Sequence, residues 1–287
     1  MDVAVCEDIQ ANVHSACGLA FVAHYKSLAF DDPFIQACRA HMLNWDGHLS
    51  TTSVGGCIYK VCYSMCVDLI LRYLAKGCTK DASEQKYVND SVFGLGFSAV
   101  LKNYNEFKGM ATSKMMHLLS SPEASTIFDR ESVLRESLTL ACEWLQARLG
   151  SQKNWQWGRI HNLVLEHPLS GPLGLDDLNV RIPFSGDTTT PCQATYFIGA
   201  GEDGLFSFDV AKGTGSTAAC RVVFAVGDWD ASKAMVTGGQ SGKYLSDHNR
   251  NQIALLECNR GKPMLFSREK IEAAAVHKYT LLPQDQA

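Results

Sequence analysis

No block of lysine or arginine marks this sequence, and its overall charge is small. Twenty-six basic residues stand against 30 acidic ones, giving a formal net charge of −4 and a pI near 6.1. That excludes a broad basic field of the kind that draws nucleic acid. A clean apolar run is lacking too. The strongest candidate, residues 57–74, carries Lys60, Asp68 and Arg72 and falls short of the ~20 apolar residues that a membrane span requires. It reads as a buried helix, so no membrane partner is expected. The opening MDVAVCEDIQ has neither the basic start nor the apolar core of a signal peptide. No Cys-x-x-Cys pair occurs. The eleven cysteines are odd in number and scattered, which argues against a small disulfide framework and for free thiols packed as small hydrophobes. With the missing leader, they point to the cytoplasm.

What is present is ordinary globular material: 46% apolar and 20% charged residues in 287, enough for one large domain or two small ones. Residues 1–150 read as helix. Ile9, Val13, Cys17 and Ala20 recur at helical spacing, and a further helix is expected over 33–43, broken by WDGHLS. Ile58, Cys62, Met65, Cys66, Leu69 and Tyr73 share one stripe, with Gly77 as a stop. Leu134, Leu138, Ala141, Cys142, Leu145 and Leu149 line another, opened by Asp129 or Ser132 and closed by Gly150. Beyond Gly150 the chain turns glycine-rich, with the strand-like runs RIHNLVLE, LNVRIPF, ATYFI, LFSFDV and CRVVFAV. RNQIALLE then reads as a helix, residues 259–263 as a turn, Ser267 as the start of another helix, and YTLLP as a last strand. Helices first and strands later predict an α+β fold. No linker composition marks a boundary at Gly150.

Several motifs fail on inspection. TGGQSGKYL, residues 237–245, offers Gly242-Lys243. However, Thr237 stands where a phosphate-binding loop needs glycine, and Tyr244 where it needs the magnesium-binding hydroxyl. GAGEDG, residues 199–204, runs into a strand-like segment rather than a helix, so a hairpin turn is the better reading. Lys243 also spoils a nucleophile elbow around Ser241. Cys57, Cys62 and Cys66 lack the spacing and the histidine of a metal site, and core packing is expected. No cofactor and no metal is predicted.

Five stretches remain, in order: IQANVHSACG, MLNWDGHLSTTS, NWQWGRIHNLVLEHPLS, IPFSGDTTTPCQATY and GGQSGKYLSDHNRNQIALLECNRGKPMLFS. Together they resemble the C-terminal part of the large chain of penicillin acylases and of the related acyl-homoserine-lactone and cephalosporin acylases. The residues that carry the resemblance are Trp45, Asp46 and Gly47; Trp157, Gly158, Arg159 and His161; and Gly239, Gln240, Ser241, Gly242, His248 and Gln252.

The resemblance implies an N-terminal nucleophile hydrolase. Its fold would be an αββα sandwich, of which this chain would form a part, as a single portion spanning 1–287 with a helical first half (1–150) and a strand-rich second half (151–287). Such enzymes hydrolyse an amide. A newly exposed N-terminal serine attacks, its own α-amine acts as base, and a backbone amide with an Asn carboxamide holds the oxyanion, each donor contributing about 3–4 kcal/mol. In the family pattern the serine and the Asn lie upstream of the part matched here, and residue 1 is Met. The chain is therefore expected to carry no catalytic residue and to be inactive alone. It would need the N-terminal half of an acylase as partner, and a small acylated amide as substrate once complemented. The alternative is a degenerate, non-catalytic binding protein. The motif residues are expected to be structural: Trp157, Arg159 and His161 as strand residues, Arg159 paired with some carboxylate, and TGGQSGKYL as a turn after a sheet strand.

Overall fold

The computed structural model describes residues 2–77, 112–122, 125, 128–194 and 217–283. The chain resolves into two compact units, one of residues 12–217 and one of residues 1–11 with 218–287.

The larger unit begins with helix α2 (Ala16–Ala23). The smaller unit supplies the preceding helix, α1 (Val3–Gln10). The apolar spacing of Ile9, Val13, Cys17 and Ala20 had suggested one helix, but the chain breaks at residues 11–15. There the backbone bonds elsewhere: Val13 O accepts from Leu49 N (3.0 Å) and Ser15 N donates to Gly47 O (2.8 Å). Ser15 then caps α2 by accepting from Gly18 N at 3.0 Å, which satisfies one orphaned amide of the first turn. Helix α3 (Pro33–Leu43) starts where Asp32 accepts from Phe34 N and a proline occupies the first turn. Helix α4 (Val54–Gly77) packs against α6 (Arg130–Leu149) and α3, and α5 (Thr112–Ser120) packs against α2. Asp129 caps α6, and Gly150, with φ +68°, ends it.

These helices enclose one apolar core. Phe21, Tyr25, Met42, Ile58, Leu138, Trp155 and Trp157 are all fully buried, each side chain stabilising the fold by roughly 1.5–3 kcal/mol through removal from water. Cys57, Cys62 and Cys66 lie inside it as free thiols; burial pushes the Cys62 thiol up to about 12. Among the described residues no helix is long and apolar enough to cross a membrane. A helical turn, α7 (Trp157–Ile160), leads into strand β1 (Asn162–Leu165). After the short helix α8 (Ser170–Leu173) comes β2 (Val180–Pro183), antiparallel to β1 with Asn162 opposite Pro183 and Val164 opposite Arg181.

The smaller unit joins α1 to strands β3 (Cys220–Val223), β4 (Lys233–Val236) and β5 (Lys262–Pro263), in sheet order β3-β4-β5, all antiparallel. Helix α9 (Ile253–Cys258) lies between β4 and β5 in the chain, and α10 (Arg268–Ala274) follows. The expected turn at 259–263 is therefore a left-handed Asn259 (φ 50°) that ends α9 and feeds a short strand. YTLLP is no strand. Tyr279 and Leu281 are 89% and 94% exposed, and residues 279–283 pair with no strand among the described residues. A β-run without a partner's amides and carbonyls has nothing to hold it extended. ATYFI from residue 195 on, GAGEDG and LFSFDV lie outside the described residues. Among the described residues, helices with two small antiparallel sheets make the fold α+β.

Candidate functional site

In the larger unit the family-type residues converge on the loop that follows β2, residues 184–194. Trp157 is fully buried, and its indole Nε1 donates to Gly186 O at 3.0 Å. His161 lies flat on that ring, with centroids 4.4 Å apart and planes 10° apart. Its Nδ1 stands 2.6 Å from Phe184 O. A carbonyl can only accept, so the proton sits on Nδ1. Burial lowers the His161 pKa to about 4, outweighing the Phe184 carbonyl and the Asp187 charge, which both favour the cation. The ring is neutral near pH 7.

Trp157, Arg159 and His161 had been read as strand residues; instead Trp157, Gly158 and Arg159 lie in α7, and His161 is the residue between α7 and β1. Residues 157–159 curl into α7 because two of their amides are claimed by the loop ahead of α4: Trp157 N donates to Ser53 O (3.1 Å) and Gly158 N to Thr51 O (2.8 Å). A side chain at 158 would meet the Cβ atoms of Pro183 and Thr51 at 2.9 Å, so glycine is required there by close approach. Arg159 points outward. Among the described residues it has no carboxylate partner within ion-pair distance.

The centre of the loop is a buried ion pair that sequence reasoning missed. Lys60 Nζ on α4 donates to Asp187 Oδ2 at 2.7 Å, with side chains 2% and 0% exposed. Asp187 Oδ1 accepts from Thr189 N (2.6 Å) and from Thr189 Oγ1 (2.8 Å). Because Thr189 donates its only hydroxyl proton there, Ser15 must donate to Thr189 Oγ1 across their 3.2 Å contact. Thr190 Oγ1 accepts from Asp187 N at 2.9 Å and reaches Cys192 O at 2.9 Å. Burial alone would raise the Asp187 pKa. The Lys60 charge and the Thr189 donors more than offset it and hold the carboxyl below its ordinary range. Lys60 Nζ also stands 5.4 Å from the Tyr59 and Tyr63 ring centres. The Ser15 and Thr189 hydroxyl protons and one Lys60 proton are committed to the loop, and Ser15 is 0% exposed. The signals were a lone lysine on an apolar helix and the GDTTT within a family stretch.

Trp45, Asp46 and Gly47 form the turn after α3. Trp45 is buried, stacks on Tyr59 at 5.1 Å and donates from Nε1 to His48 O at 2.8 Å. Asp46 Oδ1 accepts from His48 N (2.9 Å) and Oδ2 lies 3.3 Å from His48 Nδ1. Gly47, with φ +87°, carries the carbonyl that receives Ser15 N. All three are spent on shaping this turn.

The remaining family-type residues lie in the smaller unit. TGGQSGKYL follows strand β4, as expected. Gln252 is 2% exposed; its Oε1 accepts from Val236 N (2.9 Å) and its own N donates to Gly238 O (2.9 Å). Gly239 lies so close to the chain at 248–249 that a Cβ would stand 2.2 Å from His248 O. Ser241 N donates to His248 O (3.1 Å) and Ser241 O accepts from Asn249 Nδ2 (2.9 Å). His248 Nδ1 lies 3.1 Å from Asn251 Nδ2, and Gln240 Oε1 accepts from Lys262 Nζ at 2.8 Å. Nothing in the structure requires glycine at 242. This loop is cross-linked to itself rather than open towards a phosphate.

The comparisons agree with this pattern. The family model described as Penicillin amidase matches residues 1–273. The chain is 32% identical over 156 residues to Penicillin acylase 2 proenzyme of Pseudomonas sp. (strain SE83), covering 53% of this chain and 18% of that protein. It is 26% identical over 224 residues to Acyl-homoserine lactone acylase QuiP of Pseudomonas putida (strain KT2440), covering 75% of this chain and 24% of that one. The chain thus spans a quarter or less of the length of these relatives. A solved structure, thermostable penicillin G acylase from Alcaligenes faecalis, superimposes with a TM-score of 0.51 at 15% identity, covering 99% of this chain and 50% of that one; it speaks for the fold alone. With the match running over residues 1–273, the chain belongs to the penicillin amidase family.

Proposed function

We propose that this chain is the C-terminal scaffold of an acylase-type amide hydrolase, and that the attacking hydroxyl and the oxyanion carboxamide come from polypeptide outside it. On this reading it contributes helices and strands to an αββα sandwich, and the substrate is a small N-acylated amine, the class to which the relatives' names point. One observation carries the proposal: each buried family-type group is already spent on packing. His161 is neutral, buried and bonded to a backbone carbonyl, and Ser15, Asp187 and Lys60 are buried and bonded in one chain through Thr189. A general base must reach the proton it removes, and neither group does.

Complementation tests it. The chain is purified alone and co-expressed with the upstream half of a family acylase, and both samples are assayed on phenylacetyl and acyl-homoserine-lactone amides. Turnover is expected only in the complemented sample. Continued inactivity of a complex that has formed would count against the scaffold role and for a non-catalytic relative.

A further inference from the structure

Two nucleophilic side chains of the larger unit stand outside the loop framework. Cys38 on α3 and Cys142 on α6 are free thiols, each 0% exposed, on helices that pack against one another. Their side chains are hydrogen-bonded to each other. The Gln152 side-chain amide also donates to the Cys38 sulfur, at 3.4 Å. Cys38 thus receives two donors, the Cys142 thiol first and Gln152 second, and both favour its thiolate. They outweigh burial and the Asp32 charge, so the Cys38 thiol is held below its ordinary range. The same bond, with burial, pushes the Cys142 thiol up. Gln152 lies in the turn after α6 and is half-buried, which puts the Cys38 sulfur one side chain below the surface. The neighbouring Cys62 differs. Its sulfur lies 3.0 Å from the Tyr25 hydroxyl and 3.7 Å from Ser137 Oγ, and burial keeps it protonated.

We infer that Cys38 and Cys142 are a redox modification site, at which a low-mass disulfide of the glutathione type is reduced and a disulfide joining α3 to α6 is formed. Cys38 is the attacking sulfur and Cys142 the resolving one. The Cys38 thiolate attacks one sulfur of the external disulfide; that S–S bond breaks, and the expelled thiolate takes up the proton that Cys38 gave up. Cys142 then attacks the Cys38 sulfur of the mixed disulfide. Its proton passes to the second thiolate, which leaves. Two cysteine thiols are oxidised, one disulfide is reduced to two thiols, and no other electron carrier takes part. The inference is independent of the acylase reading, because both thiols belong to this chain.

The folded 287-residue chain is incubated at pH 8 with glutathione disulfide. Remaining thiols are blocked with iodoacetamide in denaturant, and the digest is weighed with and without reduction. A peptide pair joining Cys38 to Cys142, released by reduction, is expected. In Cys142→Ser, Cys38 should accumulate as the glutathione mixed disulfide, because the resolving thiol is gone. In Cys38→Ser, Cys142 should carry only the alkyl label. A parent in which Cys38 and Cys142 are both alkylated, while the exposed Cys220 and Cys258 carry glutathione, would overturn the inference. So would Cys142 joined to Cys62 instead. The parent alone decides between these outcomes, and thermal melts show that each variant is folded.

Discussion

Removing Lys60 leaves the Asp187 carboxylate buried with two donors on Oδ1 but none on Oδ2, whose 2.7 Å partner is gone. Breaking one side of a buried pair costs about 3–5 kcal/mol, so Lys60→Met should lose that much of a total that for such chains is about 5–15 kcal/mol. Asp187→Asn should cost a similar amount, because it strands an ammonium group that is 2% exposed. The double variant Lys60→Met/Asp187→Asn removes both charges and should be more stable than either single variant, giving a coupling of about 2–3 kcal/mol. Urea unfolding followed by tryptophan fluorescence reads this, with Trp155 and Trp157 as buried reporters. The pH dependence gives a second check. In the parent, Asp187 is depressed below its unfolded pKa of about 3.9. Its contribution is therefore complete above that pH and is lost as pH falls towards the folded value. In Lys60→Met, burial is opposed only by the Thr189 donors, so the carboxyl rises above its value in the parent and the deficit should narrow on acidification. Additive single variants, or a Lys60→Met within about 1 kcal/mol of the parent, would refute the claim that this pair clamps the loop to α4.

Three further outcomes follow from the same geometry. His161 sits at about 4 in the folded chain against about 6.5 unfolded. Below pH 6.5 only the unfolded state takes up its proton, so up to about 3 kcal/mol should be lost between pH 6.5 and 4, a loss that His161→Phe would abolish in a pH series of urea melts. Gly186 has φ +78° and an added Cβ would meet Cys192 O at 2.2 Å, whereas Gly174, φ +62°, faces open space; Gly186→Ala should cost several times the roughly 1 kcal/mol of Gly174→Ala in thermal melts. In the smaller unit Phe224, Trp229 and Phe266 are 61%, 45% and 67% exposed and touch in sequence, with centroids 6.4 and 6.1 Å apart. The isolated chain should self-associate in light scattering, and Phe266→Lys should reduce this.

Helix content was legible wherever local chemistry agreed with packing. The helix expected over 33–43 is there, with Asp32 as the cap that the spacing had not singled out, and Asp129, one of the two residues expected to open α6, caps it while Gly150 closes it. Reading failed where a distant backbone intervened. The stripe from Ile9 to Ala20 is interrupted because residues 13 and 15 bond to the turn around Gly47 and Leu49, which periodicity cannot register. The same holds for Trp157–Ile160, curled by the carbonyls of Thr51 and Ser53. Family wording pointed to Trp157, His161 and Gln252, and all three are buried. It did not pick out Lys60 or Asp187, because a charged pair 127 residues apart shows in sequence only as one lysine among apolar neighbours and one aspartate in a turn.

The smaller unit has a sparse apolar core among its described residues. Among its described residues only Val223, Met235 and Leu256 are buried apolar side chains, beside the buried polar Glu7, Arg221, Ser232, Gln252 and Asn259. Glu7 Oε1 accepts from Gly261 N at 2.7 Å and Oε2 lies 3.5 Å from Lys233 Nζ. Such a network fixes geometry but adds little net stability, while the exposed aromatics above remain uncovered.

The proposal that this chain is framework without its own nucleophile is tested most directly by challenging it, unpartnered, with an excess of a serine-directed sulfonyl fluoride and weighing the intact protein. The account predicts an unchanged mass and no turnover of an acylated amine. A single stoichiometric adduct, formed at a rate that replacing one residue of this chain abolishes, would contradict it.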